Sequence, residues 1–138
     1  MASDMNTSRW PHAFFAAAAL YAMIGVSWGL VMSISKDHGT YSAHAHLNLL
    51  GWVSLALMGT FYAVLGQAVA GWVKLVNFTL SNIGVISMIC GLYLYLGQKG
   101  PPSVFGPLLA VGGLSVVAGF LVFGVTVISS ALLRPRIT

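Results

Sequence analysis

The chain has 138 residues, of which 58% are hydrophobic and only 6% are charged. Because soluble domains carry about 25% charged residues, this composition excludes an ordinary soluble globule. The net charge of +4 comes from scattered lysines and arginines, which disfavours nucleic-acid binding because that function needs clustered cations.

The charged residues divide the chain into apolar runs that are long enough to cross a membrane. Every run exceeds the ~20 residues needed to span a ~30 Å hydrocarbon core. We therefore predict an all-α integral membrane four-helix bundle, with one transmembrane domain over residues 1–138. The predicted helices cover residues 13–34, 43–66, 75–97 and 104–131. The connections are short, so any function must sit inside the bilayer or at its two faces.

The lysines and arginines predict the orientation of the bundle. Four of the six cations fall on the side of the two termini, and two fall on the opposite side. The first group is Arg9, Lys74, Arg134 and Arg136, and the second is Lys36 and Lys99. The positive-inside rule then places both termini in the cytoplasm, in a multi-pass protein of a bacterial-type inner (plasma) membrane.

The first two predicted helices carry packing and capping signals. Pro11 suits the first turn of helix 1, and Gly25 and Gly29 form a G-x-x-x-G pair that allows close helix packing in lipid. Gly39 breaks the chain before helix 2, and Ser42 is the predicted N-cap of that helix.

Small and amide side chains mark the second half of the chain. Gly71 is predicted to turn the chain before helix 3. Asn77 and Asn82 lie within helix 3, and we interpret them as groups that hydrogen-bond neighbouring helices. Gly112 belongs to a further surface of small residues on helix 4. These patterns predict a closely packed bundle.

The polar inventory leaves only histidine as a carrier of chemistry. The two carboxylates, Asp4 and Asp37, lie outside the spans and on opposite faces, which excludes paired-carboxylate catalysis. We predict no catalytic residue. His12 and His38 are interpreted as interfacial or solvated side chains. His44 and His46, by contrast, open helix 2, where imidazoles are costly unless they are used.

The spacing of His44 and His46 limits what they can bind. On a regular helix, positions i and i+2 point about 200° apart, so the two rings face different neighbours. The helix N-terminus favours neutral imidazole, which is the form that binds metal. If the start of the helix were unwound, the two rings could instead hold one copper or zinc ion, with His38 as a further ligand.

The two faces of helix 2 favour a flat cofactor. The face of His44 contains Asn48 and three glycines, which predict space for a bulky planar group. These glycines are Gly51, Gly59 and Gly66. The face of His46 is an apolar wall made of Leu50, Val53, Leu57, Thr60 and Val64. A planar apolar cofactor with a central iron, heme, fits both faces.

The stretch His44-Ala-His46-Leu-Asn-Leu-Leu-Gly51-Trp-Val-Ser resembles the heme-binding helix of subunit I of the heme–copper oxidase superfamily, especially its cbb3-type oxidase and nitric oxide reductase branches. In that family a helix that begins His-x-His ligates two hemes on its opposite sides. The resemblance implies axial heme ligation by His44 and His46. It does not imply an oxidase reaction, because the three further histidines of the family's copper site have no counterpart here.

The resulting functional prediction is a membrane b-type heme protein. It would serve electron transfer or bind a diatomic gas (NO, O2 or CO), with heme b as cofactor and Lys36 and Lys99 as further heme partners. Asn48 and Gly51 are predicted pocket residues. The alternatives are a copper-handling membrane protein and a cofactor-free assembly subunit of a respiratory complex.

The opposed histidines also predict an oligomer. One chain cannot close a bis-histidine heme with His44 and His46, whereas His44 of one copy and His46 of the next could share a heme. Head-to-tail contacts of this kind close into rings. The resembled subunit consists of three four-helix arcs about a pseudo-threefold axis, and this chain resembles one arc. The resemblance therefore implies a homotrimer.

Overall fold

The computed structural model describes residues 9–132, which form an all-helical bundle. Its four long helices are α1 (Trp10–Ser35), α2 (Tyr41–Val64), α3 (Gly71–Leu96) and α4 (Pro102–Leu132). All four are long and apolar enough to cross a membrane, and their bounds lie within a few residues of the predicted ones. The prediction of an all-helical chain with four helices that could span a membrane is confirmed. Asp4, Arg134 and Arg136 lie outside the described residues.

The helix starts agree only partly with the capping predictions. Pro11 lies in the first turn of α1, as predicted. Ser42 is not an N-cap, because α2 already begins at Tyr41 and Thr40 precedes it. Gly71 is not a turn residue, because Ala70, with ψ of 140°, ends the connection and Gly71 is the first residue of α3.

The helices pack as two pairs that meet between α2 and α3. In one pair α1 lies along α2, and in the other α4 lies along α3. The α3–α4 contact is close because it is built on glycine: a Cβ atom at Gly112 would lie 2.5 Å from the Met88 backbone nitrogen, and one at Gly84 would lie 2.8 Å from that of Val116. The predicted small-residue packing surface is confirmed.

Aromatic rings fill the core between α1, α2 and α3. Phe14 stands at its centre, with ring centroids 5.3 Å from Tyr62 and 5.2 Å from Phe78. Leu55 and Met58 complete the buried cluster from α2. This core lies in the half of the bundle away from His44 and His46. It therefore holds the C-terminal half of α2 in place.

Amide side chains join the helices inside the apolar layer. Asn77 donates a hydrogen bond from Nδ2 to the Tyr62 hydroxyl of α2 at 2.8 Å. The Tyr21 hydroxyl of α1 donates to Asn82 Oδ1 at 2.8 Å. Within residues 9–132, every buried side-chain nitrogen or oxygen has a partner, as a bundle in lipid requires. The predicted interhelical role of the two asparagines is confirmed.

Lys74 differs from the loop cation that the sequence indicates. It lies in the first turn of α3 and is only 2% exposed. Its Nζ donates to the Gln67 carbonyl at 3.4 Å and stands 5.8 Å from the centroid of the Tyr62 ring. The long stem reaches back under the α2–α3 connection, which explains why the residue is buried although its charge sits at the end of the bundle.

A π-helical segment, Leu47–Ser54, interrupts α2 directly after His46. The helix is α-helical over Tyr41–His46 and again over Leu55–Val64. Within the segment the Ser54 hydroxyl donates to the Leu49 carbonyl at 2.8 Å. Such i→i+5 segments are rare and are frequent at functional sites, so the segment draws attention to the histidines beside it.

Candidate functional site

His44 and His46 lie in the first turns of α2, at the end of the bundle that also carries the α1–α2 and α3–α4 connections. The backbone there is helical and not unwound. The two rings consequently lie on different sides of α2, as their spacing predicts. His44 is half-buried against α1, whereas His46 is exposed.

The side of α2 that carries His44 packs against the G-x-x-x-G pair of α1, Gly25 and Gly29. A Cβ atom at Gly29 would lie 3.0 Å from His44 Cε1, and one at Gly25 would lie 2.5 Å from Asn48 Oδ1. Trp28 stands edge-on to the His44 ring, with centroids 6.4 Å apart. The two glycines thus make room for a histidine and an asparagine.

Asn48 sets the protonation of His44. Its Nδ2 donates to the His44 carbonyl at 2.9 Å and lies 3.3 Å from His44 Nδ1. Because an amide nitrogen can only donate, Nδ1 is the acceptor, and the neutral ring carries its proton on Nε2. In this arrangement the outer nitrogen of His44 has no lone pair to offer a metal.

His46 has the opposite arrangement. Its Nδ1 lies 2.7 Å from the Ser42 carbonyl oxygen. A carbonyl can only accept, so Nδ1 carries the proton and the lone pair lies on Nε2. A ring fixed by Nδ1–H···O=C is the usual setting of a metal-bound histidine. His46 therefore presents a ligating nitrogen to the outside of the bundle.

The space predicted beside the glycines of α2 is taken by the chain itself. A Cβ atom at Gly51 would lie 2.8 Å from the Tyr21 ring, and one at Gly59 would lie 3.0 Å from Phe14 Cβ. Gly66 is likewise in contact with aromatic rings. The expectation of an internal space was wrong, because hydropathy does not show which side chains of α1, or of α2 itself at Gly66, pack against a glycine.

The His46 face, in contrast, is open. The predicted apolar wall lies largely on the lateral surface, where Leu57 is 62% and Val64 is 63% exposed. Val53 is also exposed, at 42%. The remaining members are Leu50, which is half-buried, and Thr60, which is exposed. A planar apolar group can therefore reach His46 from outside this chain.

The other residues singled out in the sequence lie apart from His46. His12 is exposed on α1 at the opposite end of the bundle, and His38 is an exposed loop residue whose Nδ1 lies 3.2 Å from the Lys36 carbonyl. Lys36 itself is exposed. Lys99 stands 4.3 Å from the centroid of the Tyr93 ring.

The copper alternative finds no preformed cluster. Among residues 9–132, no group of three or more His, Cys, Asp or Glu side chains is placed to hold a metal ion. The helical start of α2 keeps His44 and His46 apart, and the Lys36–His38 contact keeps His38 in the loop.

The residues fit heme on one side of α2 and not on the other. His46 offers a lone pair, an exposed ring and an apolar wall, which are the features that axial ligation needs. His44 offers a half-buried ring whose Nε2 is protonated. The sequence placed Asn48 on the His44 face but did not predict its hydrogen bonds to His44, and it gave no sign of the π-helical segment, which does not change the hydropathy pattern.

No family model, curated protein or solved structure matches the chain. The residues of the site are therefore the basis of the functional argument.

Proposed function

We propose that the protein is a membrane b-type heme protein for electron transfer or diatomic-gas binding. The observation that carries the proposal is the state of His46, whose Nδ1–H is held by the Ser42 carbonyl while its Nε2 faces outward. Bound heme would supply a one-electron couple or, with one axial position open, a site for NO, O2 or CO.

Other residues of the chain would orient the ligand, contact the heme face and pair with a heme carboxylate. Ser42 orients the His46 ring and keeps it in the ligating tautomer. Val53, the exposed member of the apolar wall nearest to His46 in the chain, would lie against the face of a planar apolar group held there. Lys36, exposed at the same end, is the proposed partner for a heme carboxylate. No oxidase reaction is proposed.

His44 is the proposed second ligand, given to the heme of a neighbouring copy. Ligation by His44 requires a rearrangement of this side of α2, in which Asn48 gives up both its contact with His44 Nδ1 and its hydrogen bond to the His44 carbonyl, so that the lone pair can move to Nε2. This scheme joins His44 of one copy to His46 of the next and gives the proposed homotrimer with one heme per chain. Native mass spectrometry of the purified protein measures that stoichiometry directly.

The deciding experiment is heme content in matched histidine variants. We expect His46→Ala and His44→Ala to lose most of the b-type pyridine hemochrome, with the larger loss in His46→Ala because that ring is already in the ligating state. His12→Ala is the control, since His12 lies at the other end of the bundle. Wild-type heme content in both site variants would overturn the ligand assignment.

An assembly subunit without a cofactor is the second proposal, and α4 supports it. Cβ atoms at Gly106, Gly113 and Gly124 would meet no neighbouring atom within 4 Å in the described part of the chain. Small residues of this kind suit close packing against another membrane helix. A colourless protein that co-purifies with larger subunits would favour this function over heme binding.

A further inference from the structure

A cleft of about 320 Å³ opens at the same end of the bundle as the histidines, between the ends of α1 and α3. Its size lies at the lower limit of ligand pockets, which suits a small polar group and not a macrocycle. It is lined by Trp28, Val31, Met32, Ser35, Asp37, Gly39, Thr40, Tyr93, Leu96, Gly97, Gln98 and Lys99.

The cleft contains one positive and one negative side chain, each with an uncharged partner. Lys99 lies over the Tyr93 ring and donates to its hydroxyl. Asp37 accepts the Gly39 backbone N–H on Oδ1 at 2.9 Å. Uncharged partners leave both charges in place, so the cleft can receive a group that carries a cation and an anion at once.

Two residues that carry side chains adopt strained backbone conformations beside the cleft. Lys36 and Gln98 both adopt left-handed conformations, with φ of 58° and 52°. Glycine is the usual residue for such positions. Gly97 directly precedes Gln98 and has a right-handed φ of −78°. A glycine at position 98 would adopt this conformation with less strain than a glutamine does. The chain nevertheless has Gln98 there, and Gln98 lines the cleft.

The cleft is also amphipathic along its depth. Trp28 and Met32 form an apolar floor within α1, whereas the charged groups lie on the connections at the bundle end. Val31, on its side wall, is 61% exposed on the lateral surface. An occupant can therefore hold a polar head among the connections while an apolar chain leaves over Val31 into the lipid.

We propose that this cleft binds the headgroup of a phospholipid with a primary amine, phosphatidylethanolamine. Lys99 pairs with the phosphate, and Asp37 accepts hydrogen bonds from the ammonium group. A quaternary ammonium fits less well, because it cannot donate to Asp37 and because Lys99 already covers the Tyr93 ring. This inference is independent of heme binding.

The test uses the full chain in nanodiscs of equal phosphatidylethanolamine, phosphatidylcholine and phosphatidylglycerol with identical acyl chains. Native mass spectrometry then identifies the lipids that remain bound after release. We expect the ethanolamine lipid to be enriched over both others. Asp37→Asn should lower that enrichment about fivefold, the effect of losing one ion pair near the surface, whereas Lys99→Gln should weaken the retention of all three lipids, because each of them carries a phosphate.

Arg9→Gln is the control, because Arg9 is an exposed cation at the opposite end of the bundle and does not line the cleft. It should keep the wild-type enrichment, and circular dichroism checks that every variant retains its helices. Equal retention of the three lipids by the wild type would overturn the proposal. So would preference for phosphatidylglycerol, equal binding of phosphatidylcholine, unchanged enrichment in Asp37→Asn, or unchanged retention of all three lipids in Lys99→Gln.

Discussion

Tyr21 and Asn82 connect α1 to α3 through a single side-chain hydrogen bond inside the apolar layer. The Tyr21 hydroxyl donates to Asn82 Oδ1 at 2.8 Å, and Asn82 Nδ2 donates to the Phe78 carbonyl of its own helix at 2.8 Å. The first bond joins two helices and the second does not. Removing the tyrosine hydroxyl alone therefore isolates the interhelical contact.

We expect a double-mutant cycle with Tyr21→Phe and Asn82→Ala to show a coupling free energy of about 0.6 kcal/mol, the average for interhelical side-chain hydrogen bonds in membranes. The measurement is the free energy of unfolding in mixed detergent micelles. The cycle subtracts the separate loss of the Asn82–Phe78 bond. Additive single and double variants would show that this bond does not join the helices in solution.

At the same scale, residue type predicted a role but not a partner. An amide within a span indicates a bond to a neighbouring helix, and both asparagines of α3 make one. Which helix receives the bond depends on how the helices are rotated, and one sequence does not contain that information. The contact of Asn48 with His44 differs from these bonds, because it joins positions i and i+4 of one helix, and the sequence alone places both residues on one face.

At the scale of elements, the close contact between α3 and α4, here called the seam, depends on glycines, which have no side-chain atoms. Gly112 faces the Met88 backbone, whereas a Cβ atom at the adjacent Gly113 meets no neighbouring atom within 4 Å among residues 9–132. The two glycines are consecutive residues of one helix, so replacing either one with alanine changes the helix propensity by almost the same amount. They form a matched pair for testing the seam.

Gly112→Ala should destabilise the bundle by about 1–3 kcal/mol, the usual cost of overpacking, because the new methyl group meets rigid backbone. Gly113→Ala should instead stabilise the bundle by about 0.4–1 kcal/mol, because alanine has the higher helix propensity and its methyl group meets no neighbouring atom. Unfolding free energies in the same micelles measure both effects. Equal stability of the two variants would mean that the seam can open without cost.

The elements themselves were largely predictable, and their internal geometry was not. Four apolar runs between charges were sufficient to place the helices, because the hydrocarbon thickness fixes the length of a span. The π-helical segment in Leu47–Ser54 was not foreseen, since its wider turns change neither composition nor hydropathy. The space beside Gly51, Gly59 and Gly66 was interpreted as free, although aromatic side chains of α1 fill it at the first two and aromatic side chains of α2 itself fill it at Gly66.

At the scale of the whole molecule, the orientation in the membrane is still a prediction. It follows from the distribution of the cations, of which Arg134 and Arg136 lie outside the described residues. Lys74 is buried in the bundle, yet its ammonium group sits at the end that is predicted to face the cytoplasm.

We expect a C-terminal green fluorescent protein fusion to be fluorescent and a C-terminal alkaline phosphatase fusion to be inactive, because only the first reporter matures in the cytoplasm. A phosphatase fused after Lys99, in the α3–α4 connection, should be active and serves as the control. The reverse pattern of activities would place the histidines and the cleft on the cytoplasmic side.

The unequal lengths of the helices have a consequence for the surrounding bilayer. α4 has 31 residues, which at 1.5 Å per residue gives a rod of about 46 Å, whereas the 24 residues of α2 reach about 36 Å. A hydrocarbon layer of about 30 Å matches α2 more closely than α4, so α4 must tilt or thicken the lipid beside it. Because α4 packs mainly along α3, a thinner membrane would strain that single seam first. A change in membrane thickness would therefore strain the α3–α4 side of the molecule more than the side that carries the histidines.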